Sequence, residues 1–227
     1  MNEKETTQNK RTRAPLFSFK YWAMDSIRIT GAIPALVWLR PKWIYENKKA
    51  KKKIRGPALV IANHSTFYDP IYITLAMWYR RNRFIVKKEI YDSKAQWILK
   101  AGRCIPIDPQ NASLDAIKAV TAALKNGEII DMFPEGHVTH TNTDLEQFKS
   151  GVVLMAVRGK APILPVYIRD KRSSFDRMLF AVGEPIDIAE EYGSMPTFSQ
   201  IEEISEKLFQ KMQQLEKLAE NYKKKEI

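Results

Sequence analysis

From Pro57 to Gly183 the chain alternates short apolar runs with longer amphipathic stretches. Runs rich in β-branched and aromatic residues near 57–63, 83–87, 104–107, 128–133, 162–168 and 177–184 predict strands. Stretches near 70–80, 92–101, 112–125 and 146–158 predict helices. Alternation at this spacing predicts an α/β domain over 54–197: a mostly parallel sheet flanked by helices, with 177–183 joining as an antiparallel edge. From Phe198 the residues Ile201, Ile204, Leu208, Met212, Leu215 and Leu218 recur every three or four positions between charges. That stripe predicts a C-terminal amphipathic helix over 198–227, docked on its own domain.

The first 53 residues follow another pattern. Residues 1–13 are polar and basic, with too little apolar surface to fold, and read as a disordered tail. Residues 14–53 carry Phe17, Phe19, Tyr21 and Trp22, then an apolar stretch from Ile27 to Leu39, then Trp43 and Tyr45. Arg28 and Pro34 break the apolar stretch, which is too short for a standard membrane span. Apolar residues flanked by Trp, Tyr, Lys and Arg predict an amphipathic helical segment lying in the membrane interface. A helix packed on the core is the competing reading, and the two can coexist. The lysine-rich run from Lys48 to Lys53 reads as a solvated linker or as an electrostatic contact with anionic head groups, beside that segment the latter.

Candidate chemistry begins at the end of the apolar run 57–62, where Asn63-His64-Ser65-Thr66-Phe67-Tyr68-Asp69-Pro70 follows. Asp69-Pro70 reads as a helix start, with Asp at N-cap and Pro at N1. His64 is then expected in a strand-to-helix turn at the carboxyl end of a strand, where α/β sheets hold their active sites. A histidine beside a carboxylate can take a proton from an alcohol and hold the resulting charge. By itself such a pair is more often structural, the aspartate capping a helix and the histidine satisfying backbone groups.

Further segments come in order: Val86-Lys87-Lys88-Glu89-Ile90, Gly102-Arg103-Cys104-Ile105-Pro106-Ile107-Asp108, Phe133-Pro134-Glu135-Gly136, Phe148-Lys149-Ser150-Gly151, Pro162-Ile163-Leu164-Pro165-Val166 and Gly183-Glu184-Pro185-Ile186. In this order they resemble the glycerolipid acyltransferases, which include the lysophosphatidate (1-acylglycerol-3-phosphate) acyltransferases, over roughly 54–187. The resemblance implies transfer of a fatty acyl group from acyl-CoA or acyl-carrier protein to a lysolipid hydroxyl, lysophosphatidate first, giving phosphatidate.

His64 is then the expected general base, and Asp69 holds its tautomer and stabilises the imidazolium, as in the Ser-His-Asp logic. No G-x-S-x-G elbow is present, which favours direct transfer over use of the neighbouring Ser65 as a nucleophile. Backbone N–H groups at the helix start after Pro70, or near Gly136, are candidate oxyanion donors. Glu135-Gly136 can be simply a turn; in the family this position helps to bind the acceptor. Asn63, Ser65, Lys87, Arg103, Glu135, Gly136, His137 and Lys149 are the expected substrate-binding residues.

The chain departs from the family at two places. Arginine usually follows the I-P-I-D-like stretch, where Pro109 stands here, and usually lies after E-G, where His137-Val138-Thr139-His140 stands here. Histidine is mostly neutral at pH 7 and lacks the bidentate fork of arginine. Phosphate recognition therefore falls to Arg103, Lys87, Lys149 or nearby groups, and another lysolipid acceptor is the alternative. His140 reads as a loop histidine.

Composition adds limits. Among 227 residues Cys104 is the only cysteine, which excludes an internal disulfide and suits a reducing compartment. The net charge of +11 suits an anionic membrane surface, an acidic carrier protein or nucleic acid. No nucleic-acid-binding motif supports the last, so no nucleic-acid partner is expected. Three histidines without H-E-x-x-H or C-x-x-C spacing predict no metal and no cofactor beyond the acyl co-substrate. The expected location is the cytoplasmic face of a membrane, peripheral or monotopic. A non-catalytic basic membrane-binding protein is the rival class.

Overall fold

The structure, a computed structural model, describes residues 19–66, 68–108, 114–134, 151–169, 177–193 and 196–226. A single 3₁₀ turn leads into α1 (Trp22–Leu39). Strands β1 (Lys42–Tyr45) and β2 (Ala58–Ala62), helix α2 (Asp69–Ala76) and strand β3 (Asn82–Lys87) follow. Two short helices, α3 (Lys88–Tyr91) and α4 (Gln96–Ala101), lead to β4 (Ile105–Ile107). Then come α5 (Leu114–Lys125), β5 (Ile129–Met132), α6 (Gly151–Gly159), β6 (Ile163–Arg169), β7 (Leu179–Val182), α7 (Ile188–Tyr192) and α8 (Phe198–Glu226).

The seven strands form one sheet in the order β1-β7-β6-β2-β5-β3-β4. The five from β6 to β4 are mutually parallel; β7 runs antiparallel to β6 and β1 runs parallel to β7. Residues 177–183 were expected at the edge, but β1 lies outside β7, so β7 is internal. The segment 14–53 is correspondingly not all helical, since Lys42–Tyr45 belongs to the sheet. Trp43 stacks on Phe180 of β7, which gives this aromatic a packing role.

β2 is buried at all five positions, as befits a central parallel strand covered on both faces. Its alternating side chains serve two cores. Leu59 and Ile61 join α5, α6 and α8, whereas Ala58, Val60 and Ala62 join Leu39 of α1 and Tyr72, Ile73 and Leu75 of α2. Parallel strands require right-handed crossovers. Connections β2-α2-β3 and β3-α4-β4 run one way across the sheet, and β4-α5-β5 and β5-α6-β6 run back. Opposite directions place α2 and α4 on one face, with α1, and α5 and α6 on the other, with α8. The β2 connection leaves on the α2 face and passes β5, and the β5 connection leaves on the α6 face and passes β2, so the loops above their carboxyl ends part to opposite faces and make a switch point of the sheet there.

Both helical ends of the chain are fixed to this frame. Asp25 of α1, fully buried, forms a bidentate pair with Arg81 at 2.9 and 2.7 Å. The Arg81 and Arg103 guanidinium groups also lie over the Tyr21 ring. The α8 stripe Ile201, Ile204, Leu208, Met212 and Leu215 is buried in the domain core; Ala219 completes it, and Leu218 packs at its margin. Close approach fixes the glycine at the end of β7. A Cβ on Gly183 would lie 2.7 Å from Pro165 Cγ, so no larger residue fits without moving β6.

Candidate active site at the carboxyl ends of β2 and β5

β2 ends at Ala62, and His64 follows above the switch point. α2 begins at Asp69 with Tyr68 as its N-cap, one residue earlier than the N-cap reading of Asp69 implies. The shift matters because Asp69 turns its carboxylate back into the β2–α2 loop. Oδ2 lies 2.9 Å from His64 Nδ1 and accepts the backbone N–H groups of Ser65 at 2.8 Å and Thr66 at 2.9 Å. Oδ1 accepts the Thr66 hydroxyl at 2.9 Å. Asp69 is 1% exposed, so its acceptors are filled by protein groups. The loop is closed around the carboxylate by four donors, and this fixes the imidazole.

An Asp69 oxygen facing Nδ1 assigns the proton to Nδ1 and leaves Nε2 as the acceptor. The imidazole stacks on Phe133, with ring centroids 4.2 Å apart and planes 18° apart. Phe133 directly follows β5, so the dyad is held from both strands that flank the crevice. Sequence reasoning missed Phe133 and Thr66. Both sit inside the segments singled out, but nothing in their spacing shows that they touch the dyad.

Asn63 serves the framework. Its amide oxygen accepts the Ile168 N–H at 2.7 Å, and its Nδ2 donates to the Ile168 carbonyl at 3.0 Å and to Ser65 Oγ at 3.1 Å. Expected as a substrate contact, this buried side chain instead ties the end of β2 to β6, and its donors are spent. Ser65 remains half-buried beside His64. Lys87 ends β3 at the same edge of the sheet, two strands from β2. Arg169, which the sequence did not single out, ends β6 at that edge and donates to the Arg177 carbonyl at 3.3 Å.

Arg103 is placed elsewhere. It precedes β4 at the amino-terminal edge of the sheet, where its guanidinium bonds Glu128 at 2.9 Å in a cluster with Arg83. Five residues of strand at about 3.3 Å each separate that level from His64, so Arg103 is corrected as a site residue. The amides at the start of α2 are corrected as oxyanion donors. Those of Ser65 and Thr66 point at Asp69, that of Asp69 bonds Thr66 O, and those of Ile71 and Tyr72 bond Tyr68 O. Glu135, Gly136, His137, His140, Lys149 and Pro109 lie outside the described residues.

One more ionisable group lies on the dyad's face of the sheet. Asp131 of β5 is 1% exposed, and desolvation raises its carboxyl well above the usual carboxylate range. The Asn82 amide lies near enough to favour the charged form weakly but is not aligned into a hydrogen bond.

A histidine whose Nε2 has no partner among the described residues, oriented by a buried carboxylate over an α/β switch crevice, defines a general-base site suited to activating a hydroxyl. The family model described as Acyltransferase matches residues 43–169. A 1-acyl-sn-glycerol-3-phosphate acyltransferase of Bacillus subtilis (strain 168) is 30% identical over 166 residues, covering 70% of this chain and 80% of that protein. One of Streptococcus pneumoniae is 30% identical over 171 residues, covering 71% of this chain and 62% of that protein. The crystal structure of the acyltransferase PlsC from Thermotoga maritima shares the fold, with a TM-score of 0.61 and 22% identity over 96% of this chain and 84% of that one. The protein is an acyltransferase, which removes the non-catalytic reading. The chain belongs to the glycerolipid acyltransferase family.

Proposed function

We propose that the enzyme moves a fatty acyl group from a thioester, acyl-CoA or acyl-carrier protein, to the free hydroxyl of lysophosphatidate, giving phosphatidate. The observation that carries this reading is the His64–Asp69 contact of 2.9 Å, which engages Nδ1 and leaves Nε2 as the ring's available base. Nε2 takes the hydroxyl proton as the oxygen attacks the thioester carbonyl, and Asp69 offsets the charge on the imidazolium. The tetrahedral intermediate collapses, the C–S bond breaks, and the proton passes from Nε2 to the departing thiolate. No covalent acyl-enzyme forms, and no cofactor takes part. The oxyanion falls to donors near Gly136, because the amides at the start of α2 are engaged.

Lysophosphatidate is chosen because the relatives from B. subtilis and S. pneumoniae are named for that acceptor. Lys87, half-buried, ends β3 at the edge that holds His64 and is the proposed phosphate contact among the described residues; Glu135, Gly136, His137 and Lys149 complete the proposed binding set. A lipid acceptor resides in a bilayer, and α1 is suited to meet one. Trp22, Val37 and Trp38 are more than 60% exposed on it. No helix among the described residues is long and apolar enough to cross a membrane. Lying in the interface, on the cytoplasmic face, is the proposed mode. Lys53, in the basic run, holds its ammonium over Trp78 and Tyr79 at the border of this face.

The test is acyl transfer by the purified chain in mixed micelles, with acyl-CoA and acyl-carrier protein as donors and a panel of lysolipids as acceptors. Product from lysophosphatidate is expected. Product only from a lysolipid with another head group would overturn the acceptor, and no product from any pair would overturn the proposal.

A further inference from the structure

Among the described residues fifteen large hydrophobic side chains are exposed, and they are unevenly placed. Six lie on α1 and its lead-in, three on α2 and its flanking turns, and three on α3 and α4; only Tyr45, Leu114 and Phe198 lie elsewhere. Twelve therefore belong to the helical layer on one face of the sheet. The α5–α6–α8 face, which covers more chain, has two of the remainder at helix starts.

Within that layer α4 is unusual. None of its residues is buried, yet it carries Trp97 at 70% exposure and Ile98 at 42%. Ile90 of α3 is 43% exposed beside it. The core does not use these side chains. They are interleaved with exposed Lys88, Lys94 and Lys100, and between 87 and 103 five cations face two carboxylates. Exposed tryptophan and isoleucine set among lysines match a bilayer interface, where the ring sits at head-group depth and ammonium groups meet lipid phosphates. The segment is also continuous with α1, because Arg103, just after α4, covers the Tyr21 ring at the start of α1.

We infer that the α3–α4 segment is a second lipid-contacting surface, seated on an anionic bilayer alongside α1. The inference rests on the reading of α1 as the lipid-facing helix. Two contacts at separate places on one face would fix the tilt of the domain, which a single interfacial helix leaves free to roll. α3 directly follows Lys87, so this second contact would hold the crevice edge near the head groups from which a lysolipid must rise.

The test labels the full-length chain at position 97 (Trp97→Cys in a Cys104→Ser background) with an environment-sensitive fluorophore. Lys118→Cys on α5, the opposite face, is the control. Vesicles of phosphatidylcholine with a minority of phosphatidylglycerol are added. A blue shift at 97 and none at 118 is expected. On the native background, the double substitution Trp97→Ala and Ile98→Ala is expected to weaken vesicle binding about tenfold, the size of losing partly buried apolar surface. Turnover of a short-chain, monomeric lysophosphatidate should stay within about twofold, since the substituted residues lie outside the crevice. An unshifted probe at 97 on a chain that sediments with vesicles would overturn this inference and leave α1 as the sole contact. Absence of sedimentation would overturn the lipid-facing reading itself. Unchanged vesicle binding with a loss confined to the acyl-carrier-protein donor would overturn the inference and assign the patch to the carrier.

Discussion

Replacing Asp69 by asparagine isolates the charge of the dyad from its geometry. The three donors around Oδ2, His64 Nδ1 and the Ser65 and Thr66 amides, can all be met by an amide oxygen at that place. The new NH₂ group then faces the Thr66 hydroxyl, which can rotate to accept. Asp69→Asn therefore keeps the imidazole tautomer and loses only the stabilisation of the imidazolium. With charge centres roughly 4 Å apart and an effective dielectric near 20, that interaction is about 4 kcal/mol as an upper figure. His64 keeps 17% of its side-chain surface exposed, and solvent lowers the value. A fall in kcat of about 10²–10³-fold with KM nearly unchanged is expected. Asp69→Ala is a harsher change. It orphans two backbone N–H groups and a hydroxyl at a 1%-exposed position, so a stability loss of roughly 3–5 kcal/mol is expected as well. Initial-rate kinetics with urea unfolding of the same samples separates the two effects. A folded Asp69→Asn enzyme with parental kcat would refute an electrostatic role for Asp69.

Other expectations follow from the same geometry. Asn63→Ala breaks the β2–β6 tie and is expected to cost roughly 2–3 kcal/mol in urea unfolding while lowering kcat through misplacement of His64; unchanged stability would contradict the tie. Phe133→Ala removes the ring on which His64 rests, and a kcat loss of about tenfold or more is expected in the acyl-transfer assay, with parental turnover contradicting it. Asp131 gives a pH signature. Its folded-state pKa is raised by burial, so ionisation at higher pH costs stability that is intact at low pH. Asp131→Asn should match the parent in acid and exceed it increasingly as pH rises above the ordinary carboxylate range; a gap independent of pH in thermal melts would contradict this. Val37→Glu on the outer face of α1 should weaken sedimentation with anionic vesicles without changing the unfolding midpoint, because Val37 is 73% exposed. Deleting 1–53 would not isolate that effect, since it also removes β1.

Periodicity made most of the fold legible. Long apolar runs such as Ala58–Ala62 and the stripe of α8 are dictated by burial, and both lie where the pattern puts them. β1 was not legible, because Lys42-Trp43-Ile44-Tyr45 is short and sits between a helix and a lysine run; only pairing with β7 makes it a strand. His64 and Asp69 were legible as a pair because a spacing of five positions across a strand-to-helix turn returns one to the other. What the sequence could not supply was the direction of each polar group. Asn63 stands beside His64 in the chain yet spends its amide on β6, and Arg103 lies among family motifs yet pairs with Glu128 at the far end of the sheet. Such contacts join residues 105 and 25 positions apart, beyond any local pattern.

The central claim is that His64 performs acyl transfer from the crevice between β2 and β5. Its most direct test is the rate of phosphatidate formation from labelled acyl-CoA and lysophosphatidate by the parent chain and by His64→Ala, both shown to be folded by circular dichroism. The account predicts turnover by the parent and a loss of about 10³-fold or more in the variant, the combined contribution of an oriented base and its imidazolium. A folded His64→Ala protein that turns over at the parental rate would contradict it.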